Sequence, residues 1–490
     1  RALQLPGVAV EPEPERFLPA GDLAAPLLGR VGTDNGGLSG LEYQFDRRLG
    51  GRPGRMVVER PATDDVQAIP GGTRVVSSST RGDDLVLTID RSLQYETERS
   101  LAAGIRRANA KGGVAIVMET RTGEVLALAN LVADGPGRSV RPASRNTALT
   151  NVYEPGSVNK MITIAAALEE SLVRADDRLS VPSSIKLADH VFKEHEGQQG
   201  GRWSITEIMA NSSNVGSIMI GQRLGKDRID SYLRAFGFGS RTALDFPGES
   251  PGILLEPRKW SGTSIGTISI GQGVAVTAMQ TLAAYNTVAN GGVYVAPKLV
   301  KATVDPTGSR HPSRDSERRR VLSDNTARQV NSMLSEVVRV GTGKLAGVEG
   351  YTVAGKTGTA RKPLDGARGY KEGAYVSSFA GFVPAERPQL TAVVILDEPT
   401  PIFGGLVAAP VFAEVARYGL RQLRIPPPPP GTTPQAVPLA SPENARGVGD
   451  VGDALAAASA PATPTGAASP ASAQAAPGPP GGRGAPIAGP

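Results

Sequence analysis

The chain has no cysteine among its 490 residues. That excludes disulfides, thiolate metal sites and cysteine nucleophiles, and leaves the compartment open. Aromatic residues make up 4% of the sequence, too few for a surface on which nucleic-acid bases stack. The three histidines, His190, His195 and His311, show no metal-ligand spacing backed by carboxylates, so no metal centre is expected. No stretch approaches the roughly 18 apolar residues a membrane helix needs. No charged-then-apolar signal segment opens the chain at Arg1, and any membrane anchor is expected upstream of it.

Glycine, with 60 residues, and proline, with 40, are abundant. The formal charge of +6 and the pI near 9.5 suit a polyanionic neighbourhood such as a cell wall or anionic lipid. They are too diffuse to argue for nucleic acid. Residues 1–82 are loop-rich and punctuated by glycine and proline. A regular domain is expected over 83–424. A strand at Leu85–Ile89 leads to a helical pattern from Ser92 to Ala110. Strands at Val114–Glu119 and Glu124–Ala129 then read as an antiparallel hairpin turning at Arg121–Gly123. Helical patterns dominate from Ser157 to Phe236 and return at Ala278–Ala289 and Asp324–Val340. Strands are expected at Tyr351–Ala360, Tyr375–Val383 and Leu390–Leu396, and a last helix at Ala409–Leu423. A helical insertion between strands of one antiparallel sheet is an α+β layout. From Ile425 the chain turns to proline, alanine, glycine and serine without an aromatic residue. Such a segment buries too little apolar surface to offset its chain entropy, so 425–490 is expected to be disordered.

Three short signals carry chemistry. Ser157-Val158-Asn159-Lys160 follows Glu154-Pro155-Gly156 at the start of a helical pattern. The hydroxyl and amine at i and i+3 share one face. An unprotonated, desolvated lysine there can take the serine proton, and the helix N-terminus offers N–H groups to an oxyanion. Asn211-Ser212-Ser213-Asn214 sits in a polar break between two helical runs. Lys356-Thr357-Gly358-Thr359 ends an apolar strand, where lysine and two threonines can hold a carboxylate and glycine admits a close backbone. Each alone has a plainer reading: an N-cap serine with a surface lysine, a helix-to-helix turn, and an edge strand with a charged end.

In this order the three resemble the S-x-x-K, S-x-N and K-T-G motifs that line one cleft in penicillin-recognising serine enzymes. Gly40–Tyr43, Leu49-Gly50, Tyr153–Gly156, Ile270–Gly273, Ala289–Gly292, Phe379–Pro384 and Gly404–Phe412 further resemble class B penicillin-binding proteins, most of all the septal, cell-division type. The likeness covers roughly residues 30–423. It implies the penicillin-binding transpeptidase fold, a five-stranded antiparallel sheet between helices plus a helical lobe. Residues 1–82 would be the remnant of an N-terminal pedestal (dimerisation-type) domain. It implies a serine-type D,D-transpeptidase with Ser157 as nucleophile, Lys160 as base, and Ser212 and Lys356 as a proton relay. Asn214 would bind the donor peptide, Thr357, Gly358 and Thr359 would lie along the substrate, and the N–H groups of Ser157 and Thr359 would form the oxyanion hole. No cofactor is implied. The implied partners are peptidoglycan stem peptides, β-lactam antibiotics as covalent inhibitors, a membrane glycan polymerase of the SEDS type and other divisome proteins. The implied location is the extracytoplasmic face of the bacterial membrane. Val158-Asn159 departs from the family's usual residues, which bears on substrate fit. A side-wall transpeptidase, a serine β-lactamase and a non-catalytic β-lactam sensor are the rival readings. The length and the pedestal sequence argue against the β-lactamase.

Two further motifs are decoys. Gly262-Thr263-Ser264-Ile265-Gly266 spells a nucleophile elbow, with Asp305 and His311 after it, but neither flank supplies the required strand and helix. Arg310, Arg314 and Arg318–Arg320, interrupted by Asp315 and Glu317, read as a solvated loop.

Overall fold

The computed structural model describes residues 16–59, 72–135, 139–195, 198–364 and 369–429. The tail from 430 onward, and with it the expectation of disorder there, lies outside the described residues, as do 1–15 and 60–71 of the N-terminal segment. Residues 16–82 hold short helical turns and a two-stranded ribbon, Arg55–Val58 against Thr73–Ser77. Strand Asp84–Leu87 then pairs with Val300–Val304.

Helix α1 (Arg91–Arg107) starts at Asp90, whose carboxylate accepts the N–H of Leu93 at 2.8 Å, a capping bond that fixes its first turn. Strands β1 (Gly112–Glu119), β2 (Val125–Ala133) and β3 (Val140–Pro142) follow. Then come α2 (Lys160–Glu169), strands β4 (Ser184–Leu187) and β5 (His190–Lys193), and helices α3 (Ile205–Ala210), α4 (Asn214–Leu224), α5 (Ala278–Ala289) and α6 (Asp324–Arg339). Strands β6 (Ala354–Pro363), β7 (Tyr370–Val383) and β8 (Leu390–Asp397) precede helix α7 (Gly404–Gln422). The main sheet is antiparallel in the order β6-β7-β8-β1-β2-β3. It has six strands rather than the expected five, because the three-residue β3 is too short and polar to stand out in the sequence.

Both faces of this sheet are buried, and the two-residue side-chain period sorts its residues between two cores. Val114, Ile116 and Met118 of β1 join Val393 and Ile395 of β8 in the core that holds α2 and α5. Ala115 and Val117 join Leu390, Ala392, Val394 and Leu396 in the core beneath α1 and α7, with Leu101, Ile105 and Phe412. Helix α2 is apolar all round, and every residue from Lys160 to Leu168 is buried. Met161, Ile162, Ile164 and Leu168 each contribute about 1.5–3 kcal/mol by leaving water. That burial fixes where Lys160 must sit.

Several expected elements are corrected. Residues 157–236 are not continuously helical. Arg178–Val181 pairs with Gly201–Ser204, and β4 pairs with β5. Four-residue strands are too short for their period to compete with a helical one. Helix α7 begins at Gly404, five residues before the expected start, because Gly404 and Gly405 serve packing rather than a break. The arginine cluster is not a solvated loop throughout. Arg318–Arg320 form a strand paired with Val293–Val295, and Arg319 stacks 3.7 Å above the Tyr294 ring while donating to the Ala235 carbonyl. Ser264 opens a helix, Ser264–Ser269, after a turn, and its hydroxyl bonds the Ser261 N–H at 2.8 Å. No elbow strand precedes it.

Gly404 ties fold to site. Its N–H donates to the Thr359 hydroxyl at 3.2 Å, and a Cβ there would lie 2.3 Å from the Ser378 carbonyl and 2.4 Å from the Gly358 carbonyl. Both obstacles are backbone, so the edge strand would have to move. Gly404→Ala is expected to cost about 1–3 kcal/mol, as overpacking does, measured by denaturant unfolding.

Candidate active site

The three sequence signals converge at the β6 edge of the sheet. A 3-10 turn, Gly156–Asn159, carries Ser157 into α2. Gly156 has φ of +58° and Gly271 of +79°, left-handed conformations that glycine adopts without strain. The Gly156 N–H donates to the Gly271 carbonyl at 2.9 Å, and a Cβ on Gly271 would stand 2.1 Å from the Gly156 oxygen. Tyr285 donates its hydroxyl proton to the Val158 carbonyl at 2.9 Å, and the Asn159 amide donates to the Ile268 carbonyl at 2.7 Å. Val158 and Asn159 are buried. They anchor the serine turn to the protein interior. The first N–H groups of such a turn have no intrahelical acceptor, and Ser157 carries one of them.

Lys160 is fully buried. Its amine does not bond to Ser157 but reaches across to the second motif: the Ser212 carbonyl at 2.5 Å, the Asn214 carboxamide oxygen at 2.7 Å and the Ser212 hydroxyl at 3.3 Å. A neutral amine has two N–H groups, enough for the two short contacts, which leaves its lone pair for a hydroxyl proton. Ser212 stands at φ +58°, a left-handed backbone that costs a serine of order 1–3 kcal/mol and persists only where its surroundings impose it.

β6 pairs on one side only, with β7, so its other edge faces the serine turn. A Cβ on Gly156 would lie 3.1 Å from that of Ala360, which places Ser157 against Thr359-Ala360. The K-T-G-T residues sit in the middle of β6 rather than at its end. Lys356 is fully buried, its amine 3.2 Å from the Thr357 carbonyl and 3.4 Å from the Thr357 hydroxyl. Thr357 and Thr359 alternate on one face, the first bonded to Thr342 at 2.7 Å. A Cβ on Gly358 would meet Ser378 at 2.3 Å and the Pro155 carbonyl at 3.1 Å, so Gly358 lets the serine turn approach the strand. Sequence reading gave Glu154 no role, and it holds the Gly273 N–H at 2.8 Å and the Tyr370 hydroxyl at 3.0 Å. Sequence reading also passed over Glu194, which lies twenty residues before Asn214 with no motif around it.

Burial pushes the Lys160 ammonium down to about 7, against a smaller upward pull from Glu194. Burial, then the charge of Lys160, pushes Lys356 well below the usual lysine range. Two buried amines whose hydrogen-bonded acceptors are all neutral cannot both hold a full charge cheaply. Among the described residues no group of histidine, aspartate and glutamate could hold a metal ion, and no helix is long and apolar enough to cross a membrane.

Residues 113–417 match the penicillin binding protein transpeptidase domain family, and residues 1–87 the penicillin-binding protein dimerisation domain family. The chain belongs to the class B penicillin-binding proteins. It is a peptidoglycan D,D-transpeptidase by that membership. This penicillin-binding protein is 37% identical over 437 residues to penicillin-binding protein PbpB of Mycolicibacterium smegmatis, covering 86% of this chain and 67% of the relative. It is 32% identical to the peptidoglycan D,D-transpeptidase FtsI of Buchnera aphidicola, covering 87% of this chain and 73% of that one. Against a crystal structure of penicillin binding protein 3 from Mycobacterium tuberculosis complexed with ampicillin it has a TM-score of 0.77 at 33% identity, covering 87% of this chain and 93% of that one. The transpeptidase fold is thereby shown.

With Lys160 as base, the neutral amine is the active form. Acylation by penicillin is expected to rise with pH, reach half its plateau near pH 7, and fall about tenfold per unit below that. An unperturbed lysine would place the midpoint near 10.4. Stopped-flow acylation rates across pH separate the two.

Proposed function

We propose that this protein cross-links stem peptides in septal cell-wall synthesis through an acyl-enzyme on Ser157. The observation that carries the reading is the Lys160 amine, buried one helical turn from Ser157 and bonded to both Ser212 and Asn214. The Ser157 hydroxyl oxygen attacks the carbonyl of the penultimate D-alanine while Lys160 takes its proton. The bond to the terminal D-alanine breaks, and its nitrogen leaves with a proton delivered through Ser212 and Lys356. The amine of a second stem peptide then attacks the ester, forming the cross-link and returning the oxygen and its proton to Ser157. The N–H groups of Ser157 and Thr359 hold the carbonyl oxygen as it gains charge, a kind of contact worth about 2.7–4 kcal/mol elsewhere. Asn214 holds the donor backbone, Thr357 and Thr359 hold the terminal carboxylate, and Gly358 keeps the strand close to the serine turn.

Residues 1–82 serve as the pedestal and 83–424 as the catalytic domain. The catalytic domain works on the extracytoplasmic face of the membrane, anchored by a helix N-terminal to this sequence. It does so beside a SEDS-type glycan polymerase and other divisome proteins. The M. tuberculosis neighbours complexed with aztreonam and with ampicillin support β-lactams as inhibitors of this cleft.

Ser157→Ala is expected to abolish covalent labelling by a fluorescent penicillin and to change stability by no more than about 1 kcal/mol, the worth of a capping bond. Mass spectrometry that finds an acyl adduct on the alanine variant, or on Ser264 in the parent, would overturn the assignment.

A further inference from the structure

The S-x-N turn is held from outside by a residue that belongs to none of the three motifs. Glu194 follows β5, the second strand of the β4–β5 hairpin. One oxygen of its carboxylate accepts the Ser213 hydroxyl proton and the Val215 N–H, the latter at 3.1 Å. The other accepts the Asn214 N–H at 2.7 Å. Next to it, the Lys193 carbonyl accepts the Asn214 side-chain amide at 3.1 Å, which fixes that carboxamide with its oxygen toward Lys160. The carboxylate thus occupies the N-terminus of α4, where unpaired N–H groups and the helix dipole favour negative charge.

We propose that Glu194 is a positioning residue for the transpeptidase reaction, holding Ser212 and Asn214 around the Lys160 amine. This rests on Lys160 and Ser157 having the roles assigned above. Ser212 keeps its left-handed backbone because its own carbonyl and the two residues after it are fixed. Its carbonyl is bound by Lys160, and Ser213 and Asn214 are bound by Glu194. Without the carboxylate the turn can relax and both acceptors of the amine drift. Glu194 is also the nearby opposite charge that favours the ammonium form of Lys160. The other ionisable groups facing that amine are Lys356 and His195. His195 is held neutral, by desolvation first and then by the charges of Lys160 and Lys356, which lower its pKa to about 3. Removing Glu194 therefore leaves no negative charge among the groups facing the amine, and Lys160 should lose its proton at lower pH.

The test is the pH profile of acylation by a fluorescent penicillin for the parent, Glu194→Gln and Glu194→Asp, with thermal unfolding and Ser157→Ala alongside. Glu194→Gln is expected to lower the plateau rate by about tenfold to a hundredfold, as small misplacements in a site do. It is also expected to move the midpoint down by about one unit, as the loss of one nearby opposite charge does. Glu194→Asp keeps the charge but falls short of the turn, so its plateau should drop while its midpoint stays parental. A parental plateau in Glu194→Gln, or a midpoint unmoved in it, would overturn the proposal. Should that variant fail to fold, a parental plateau in Glu194→Asp would overturn it equally. Labelling that survives in Ser157→Ala would instead defeat the assignment of the site itself.

Discussion

The structure depends on a lysine buried without a salt-bridge partner in bonding distance. Taking an ammonium out of water is expensive, and a protein meets that expense either by pairing the charge or by giving up the proton. Around Lys160 the bonded groups are a carbonyl, a carboxamide oxygen and a hydroxyl, all neutral. They solvate the amine without neutralising it. Its proton affinity is therefore balanced near neutrality, where a base can both take and return a proton.

The rest of the fold keeps that amine where it is. Helix α2 is buried on all sides, so it can neither rotate nor expose its first residue without opening the core. The sheet supplies a rigid edge against the serine turn, and the glycines at 156, 271, 358 and 404 remove the side chains that would keep those backbones apart. Two of them, Gly358 and Gly404, join β6 to the start of α7. A helix on the far face of the sheet is thereby coupled to the cleft through packing alone.

Much of this was legible in the sequence. The spacing of Ser157 and Lys160 and the order of the three motifs pointed to residues that the fold brings together. The strand patterns placed β1, β2 and β8 within a few residues, and the helical pattern placed α5 at its observed bounds. What was not legible had physical reasons. The β4–β5 hairpin has strands of four residues, too short for a period to register. The start of α7 was hidden because glycine reads as a helix breaker, whereas Gly404 and Gly405 are there for contacts made far along the chain. The partner of Lys160 was misplaced for a related reason. Spacing along one helix points to Ser157, but the bonds go to residues more than fifty positions away. Glu194 carries no local signature, and its role exists only once the hairpin has folded over α4.

The central claim is that Lys160 gives up its proton near neutrality, far below an ordinary lysine. It is tested most directly by titrating the isotope-labelled lysine side chains of the intact protein by NMR, with the Lys160 signal assigned by its loss in Lys160→Arg. A titration midpoint near 7 is the predicted result. A Lys160 signal that titrates near the free-lysine value of about 10.4 would contradict the account, since a permanently charged ammonium cannot accept the Ser157 proton.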